Sequence, residues 1–287
     1  MISIEEVIYP ISLEFFMREI FEVEPRKFDG FRCTPLITDE DLPLLVKAIT
    51  EVCPNRLRVN CGGQVLLPPR NVVPTQLQDW AMAHYENGST IILNYVEAID
   101  LKCGKFARCL GESLGAKVSL TVFATPENSQ GFVPHFDTLD VFVIQQSGSK
   151  LWSLGESAIT LPTLKQGGLI SFPDDEPPKT ADFVLNEGET LYIPRGVIHW
   201  AKTSADASIH ITADIGTASM GDVLSEANRL IQSVELTTQK KETNRLAILA
   251  KKPSFNPIEL VEALLSVERV DNLYEESILK KWQKKVL

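Results

Sequence analysis

PENSQGFVPHFDTLDVFVIQQSGSKLWSL, residues 126–154, is the stretch on which the fold turns. Two runs rich in β-branched and aromatic residues, DVFVIQQ and KLWSL, are parted by Ser147-Gly148-Ser149, which reads as a turn. The same texture continues outward on both sides, in KVSLTVFAT (117–125), GGLISF (167–172), ADFVLNEGETLYIP (181–194) and ASIHITADI (207–215). Many short strands without intervening helices argue for an antiparallel sandwich or barrel rather than βαβ units. The barrel core is expected at about residues 116–216.

Helical spacing flanks this block. ISLEFFMREIF (11–21), VPTQLQDWAMAHY (73–85) and a stretch from about Glu97 to Leu114 place apolar residues on one side of a helix, and STIILNYV (89–96) reads as a strand. The segment before residue 75 reads as short strands and proline-rich turns such as VLLPPRNVVP (65–74). After Gly221 the pattern is helical to the end, with Asn256 and Pro257 opening one helix as N-cap and first residue. The expected fold class is therefore α+β: N-terminal α/β elements, a β-barrel and a C-terminal helical bundle. The division is 1–216 and 217–287.

With 287 residues and 44% hydrophobic content, the chain can bury a sizeable core without staples. Its cysteines (Cys33, Cys53, Cys61, Cys103, Cys109) are odd in number and form no CxxC pair, which predicts reduced thiols. The N-terminus is acidic and no 18-residue apolar run occurs, so a cytoplasmic protein with no membrane span is expected. Net charge is −10, but residues 217–287 hold 11 Lys/Arg against 10 Asp/Glu, leaving 17 against 28 in residues 1–216. That acidic body disfavours direct nucleic-acid binding and favours a cationic partner, a basic peptide or protein tail.

Three of only four histidines fall in the all-β block. His135 and Asp137 lie two apart in what reads as a strand, so their side chains leave one face. His199 follows 62 residues later in LYIPRGVIHW. Two imidazoles and a carboxylate on one face of an octahedron leave three positions open, the arrangement of non-haem iron(II) oxygenases, which bind a bidentate oxo-acid and O₂ there. An HxD pair alone is a weak signal; burial in an apolar barrel, where unpaired polar groups are costly, makes a metal the natural compensation. Lys150 can reach back into the barrel and pair with the distal carboxylate of 2-oxoglutarate, although a turn lysine by itself reads as solvent-exposed. His84 reads as a surface helix residue, Asp140 as an organiser of the barrel edge, and Trp200 as packing.

Taken in order, residues 126–154, LYIPRGVIHWA (191–201), SIHITADI (208–215) and SMGDVL (219–224) resemble the signature blocks of the ribosomal-oxygenase group of JmjC hydroxylases, protein histidyl and arginyl hydroxylases with a cupin-type double-stranded β-helix (jelly roll). The resemblance runs from about Phe15 to Leu224. It implies Fe(II), 2-oxoglutarate and O₂ as cofactors, with His135, Asp137 and His199 as iron ligands and Lys150 on the 2-oxoglutarate C5 carboxylate. Thr121 and Thr212 fall where the barrel lines the cofactor, while Phe123 replaces a polar side chain with packing. Asp214 falls near the substrate, where a carboxylate favours an arginine or protonated histidine.

The same resemblance implies a helical dimerisation module in 217–287, hence a homodimer, with the family's winged helix absent or reduced. The expected activity is hydroxylation of a protein or peptide side chain, at Cβ of His or Arg. Two rivals stay open: tailoring of a ribosomally made peptide or a small molecule on the same scaffold, and a non-catalytic cupin-like binding protein.

Overall fold

A computed structural model of the chain describes residues 3–30, 35–163 and 177–217. These fall in the unit Met1–Gly216, together with Thr217. The helical and dimerisation readings of 217–287, and the strand expected at 167–172, lie outside the described residues.

Among the described residues, five α-helices and ten strands follow in order: α1 (Ile4–Val7), α2 (Leu13–Glu19), β1 (Arg26–Phe28), α3 (Asp41–Val52), β2 (Leu57–Cys61), β3 (Gln64–Leu66), α4 (Pro74–Glu86), β4 (Thr90–Asn94), α5 (Leu101–Leu114), β5 (Lys117–Thr125), β6 (Asp140–Ser157), β7 (Lys179–Asn186), β8 (Thr190–Ile193), β9 (Val197–Lys202) and β10 (Ser208–Gly216). The large sheet runs β1-β8-β6-β10-β5-β4-β2-β3, and the second half of β6 pairs with β7 and β9. Every pairing is antiparallel. This is the expected jelly roll with helical additions.

Period-two alternation explains both faces of the large sheet. Leu120, Val122 and Ala124 of β5, Phe142 and Ile144 of β6, and Ile209, Ile211, Ala213 and Ile215 of β10 enter one hydrophobic core with Phe16 of α2, Ile49 of α3 and Leu110 of α5. Each such fully buried Leu, Ile or Phe contributes roughly 1.5–3 kcal/mol. The intervening residues Thr121, Phe123, Val141, Val143, His210, Thr212 and Asp214 line a cavity on the opposite face.

Three local readings are corrected. Residues 41–52 form a 12-residue helix, not a strand-and-turn segment; Leu42, Leu45, Val46 and Ile49 carry helical spacing, and Pro43 sits in the first turn, where its missing N–H costs nothing. Ser147-Gly148-Ser149 is no turn between strands, because β6 continues through it from one sheet to the other. Gly148 makes the bend at φ +65°, where any Cβ would stand 1.9 Å from the Ala207 carbonyl oxygen. His135 and Asp137 lie not on a strand but in the irregular segment before β6, where His135 makes a single antiparallel bridge to His199.

Candidate metal centre

That bridge aligns the first and third of the expected ligands. The His135 N–H donates to the His199 carbonyl at 3.1 Å, and the His199 N–H donates back at 2.7 Å. The next anchor is the Gly196 N–H, which donates to the Asp137 carbonyl at 2.9 Å. His199 thus sits inside β9, and backbone bonds rather than a shared strand hold the HxD segment against it.

The donor atoms of His135, Asp137 and His199 all lie within 4.8 Å of one another. His135 Nδ1 donates to the Val133 carbonyl at 2.8 Å, and His199 Nδ1 to the Val197 carbonyl at 2.9 Å. A carbonyl only accepts, so both protons are pinned on Nδ1 and both Nε2 lone pairs remain for a metal. His199 Nε2 lies 3.4 Å from Asp137 Oδ2, and the two rings are 4.4 Å apart between centroids.

The electrostatics match a site that is completed by a cation. Burial, with the neighbouring His199, pushes the His135 imidazole down to about 4. Burial also opposes charging of both His199 and Asp137, yet their mutual hydrogen bond and charge win, holding His199 above and Asp137 below their ordinary values. A divalent ion would take over the role of that shared proton.

Lys150 is the other pole of the cavity. It is 3% exposed, and its Nζ donates to Thr125 Oγ1 at 2.7 Å, itself 3.0 Å from Thr90 Oγ1. Burial brings its ammonium down to about 7, and among the described residues no carboxylate pairs with it. Beside it, Phe123 stacks on His210 (centroids 4.9 Å, planes 6° apart), and Trp152 meets the His210 edge at 5.3 Å. Burial, with the Lys150 charge, holds His210 well below its ordinary value. His210 Nδ1 and Trp152 Nε1 are buried polar atoms with no protein partner. A buried ammonium without an anion, next to two unsatisfied polar atoms, fits an anionic ligand.

Every expected site residue lines this one cavity of about 750 Å³: His135, Asp137, His199, Lys150, Thr121, Thr212 and Asp214. Asp214 receives a long hydrogen bond from Ser119 Oγ at 3.4 Å; burial, and secondarily the Asp137 charge, raises its carboxyl to about 7. Phe123 packs as expected.

Sequence reasoning missed Thr125, which period two along β5 would have found after Thr121 and Phe123, and it gave no role to His210 or Trp152. It also missed Arg56 and Arg58, which nothing local marks. Asp140 does organise the barrel edge: fully buried, it accepts from Tyr192 Oη at 2.7 Å and Arg195 Nη1 at 2.6 Å, and Arg195 continues to Glu22 at 2.6 Å.

Comparison with known proteins agrees with this layout. The JmjC domain family matches residues 101–223, which include the three clustered donors and Lys150. Residues 101–223 are thus similar to a JmjC domain, and the matched relatives are ribosomal oxygenases and their like. Human ribosomal oxygenase 1 is 29% identical over 217 residues, 72% of this chain but 33% of that protein. The bifunctional lysine-specific demethylase and histidyl-hydroxylase NO66 of Drosophila persimilis is 38% identical over 138 residues, 45% of this chain and 19% of that protein. This chain thus spans a third or less of these two relatives' length. Among solved structures, YcfD, a ribosomal oxygenase from Escherichia coli in complex with cobalt and 2-oxoglutarate, superimposes with a TM-score of 0.57 at 18% identity, covering 95% of this chain and 69% of its own. At that identity the likeness is one of fold, and the barrel here has the same jelly roll. No helix among the described residues is long and apolar enough to cross a membrane.

Proposed function

We propose that the chain is an Fe(II)- and 2-oxoglutarate-dependent oxygenase that hydroxylates a protein or peptide side chain. One observation carries the reading: a buried ammonium without an anion, Lys150, shares a cavity with two histidines and an aspartate whose free donor atoms converge.

His135 and His199 would hold the metal through Nε2 and Asp137 through a carboxylate oxygen. Lys150 takes the distal carboxylate of 2-oxoglutarate, with Thr121 and Thr212 beside it on neighbouring strands. Bound iron with 2-oxoglutarate would supply the oxidising chemistry, coupling O₂-dependent decarboxylation of 2-oxoglutarate to succinate and CO₂ with insertion of the second oxygen atom into a substrate C–H bond. The protein's own share is placement. Carbonyl-fixed imidazoles preorganise the metal face, the Thr125–Lys150 pair orients the co-substrate, and the apolar walls Val141, Val143 and Phe123 exclude water.

Asp214 and the acidic body favour a cationic target, so Cβ of an arginine or histidine is the carbon we assign. The relatives' names are consistent with a protein substrate. Anaerobic titration with iron(II) and 2-oxoglutarate is the test. A visible charge-transfer band, then succinate and a one-oxygen mass gain on basic peptides under air, are expected. Neither band nor succinate would refute the reading.

A further inference from the structure

Beside the paired β2 and β4 the cavity reaches solvent in a mouth whose lining includes the part-exposed Arg56, Arg58 and Asn94 and the half-exposed Tyr95. We infer that this mouth grips a carboxylate side chain of the substrate peptide, so that the enzyme selects an acidic residue close to the target residue. The inference rests on the oxygenase reading only for the identity of the target.

Both guanidiniums are held by backbone rather than by acids. Asn94 Nδ2 donates to the Arg56 carbonyl at 2.9 Å, and Arg56 Nη1 donates to the Tyr95 carbonyl at 3.4 Å with its guanidinium 5.5 Å from the Tyr95 ring centroid. Arg58 Nη1 donates to the Leu57 carbonyl at 2.7 Å and also to that of Asn55. These bonds use one nitrogen of each planar fork and fix its direction, leaving most of its N–H groups for a partner. Among the described residues no carboxylate pairs with either arginine.

Tyr95, which carries Arg56, is half-exposed and sits at φ +58° in the left-handed region, unusual for an aromatic residue. Such a conformation persists where the surroundings enforce it, and it tends to occur at functional sites.

Two arginines without a carboxylate partner, both lining this cavity, stand out from a body that holds 17 basic and 28 acidic groups in residues 1–216. Charges more than about 8 Å away are screened at physiological salt, so the local pair governs what docks at the mouth. A single carboxylate at the mouth therefore meets chiefly the arginines. The same cavity of about 750 Å³ is also lined by Asp214, which suits a basic target, and an extended peptide covers such a reach in a few residues at about 3.3 Å each.

The experiment selects a displayed library of random peptides with a fixed central arginine or histidine on the full chain loaded with cobalt and 2-oxoglutarate. Aspartate and glutamate should be enriched about tenfold at one or two positions near the centre, the factor that one charge-assisted contact carries. With Arg56→Glu and Arg58→Glu together the preference should swing to lysine and arginine, and with Arg56→Gln and Arg58→Gln it should vanish. Calorimetric affinity for cobalt and 2-oxoglutarate, unchanged in either variant, shows that the barrel is folded. No acidic enrichment on the wild type, enrichment retained in both variants, or tighter capture of a single-stranded nucleic acid would each overturn the inference. Failure of cobalt and 2-oxoglutarate to bind sinks the oxygenase reading instead, and selection on the unloaded chain then still tests the mouth.

Discussion

Arg195→Ala tests how the fold braces the metal centre. Asp140 is wholly buried, and two of its three hydrogen bonds come from Arg195: Nη1 at 2.6 Å and the backbone N–H at 3.4 Å. The third is the Tyr192 hydroxyl at 2.7 Å. Removing the side chain leaves a buried carboxylate with one strong neutral donor, a change that costs about 3–5 kcal/mol. The Arg195–Glu22 pair adds little, since Glu22 is about one-third exposed and pairs of that kind contribute roughly 0–1 kcal/mol. For a domain of this size the melting temperature should fall by about 6–20 °C.

Because Gly196 follows Arg195 and donates to the Asp137 carbonyl, cobalt affinity should drop about 10–100-fold as well. Thermal and urea melts, with calorimetry for cobalt, read both effects. A loss under about 1 kcal/mol would refute the argument that Asp140 depends on this partner.

Other expectations follow from single positions. Lys150 has a folded pKa of about 7 against an ordinary 10.5, so between these values only the unfolded chain binds its proton. Lys150→Met should therefore be stabilising below pH 7, with the advantage shrinking by up to about 1.4 kcal/mol per pH unit above it; a pH-independent difference between the two melts contradicts this. The same proton is needed to pair with an anion, so calorimetric affinity for 2-oxoglutarate should fall as pH rises above 7, and a rise would count against the pairing. His135→Ala or Asp137→Ala should weaken cobalt binding more than the roughly 10–100-fold of an outer-shell change while leaving the melt cooperative; intact cobalt affinity would remove these residues from the metal site. Gly148→Ala should destabilise by at least about 1–3 kcal/mol in urea, because it combines a left-handed φ with a clash against the Ala207 carbonyl; an unchanged midpoint would show that β6 bends without the glycine.

What could be read from the chain is what period two and residue scarcity encode. KVSLTVFAT marked β5 residue for residue, and three histidines in one β block brought the triad into view before any contact was known. The helix at 41–52 was hidden by Pro43 and by β-branched Val46, Ile49 and Thr50, although its apolar spacing was helical throughout. A Ser-Gly-Ser sequence signals a turn, but pairing with β10 on one side of Gly148 and with β7 and β9 on the other made it a bend within one strand. The arginine mouth was beyond local reading, since Arg56 is brought to Tyr95, 39 residues later, by the β2–β4 pairing.

Fold and site are bound together by register. Thr212 lies opposite Thr121, His210 opposite Phe123 and Asp214 opposite Ser119, while Ile211 and Ala213 face the core between them. A slip of β10 by one residue would turn Ile209, Ile211 and Ala213 into the cavity and drive His210, Thr212 and Asp214 among Phe142, Ile144 and the helices. Burying those polar groups without partners costs several kcal/mol each on the scale of about 2–7 for an amide or hydroxyl, more than the apolar residues regain elsewhere. The irregularity between Ile209 and His210 falls where β6 bends at Gly148, so β10 keeps this register along the rest of its length and still follows the strand that delivers Lys150. The polar residues that make the cavity fit for a metal and an anion are thus also what forbids the alternative pairing, and a substitution that made this face apolar would loosen the sheet's register along with its chemistry.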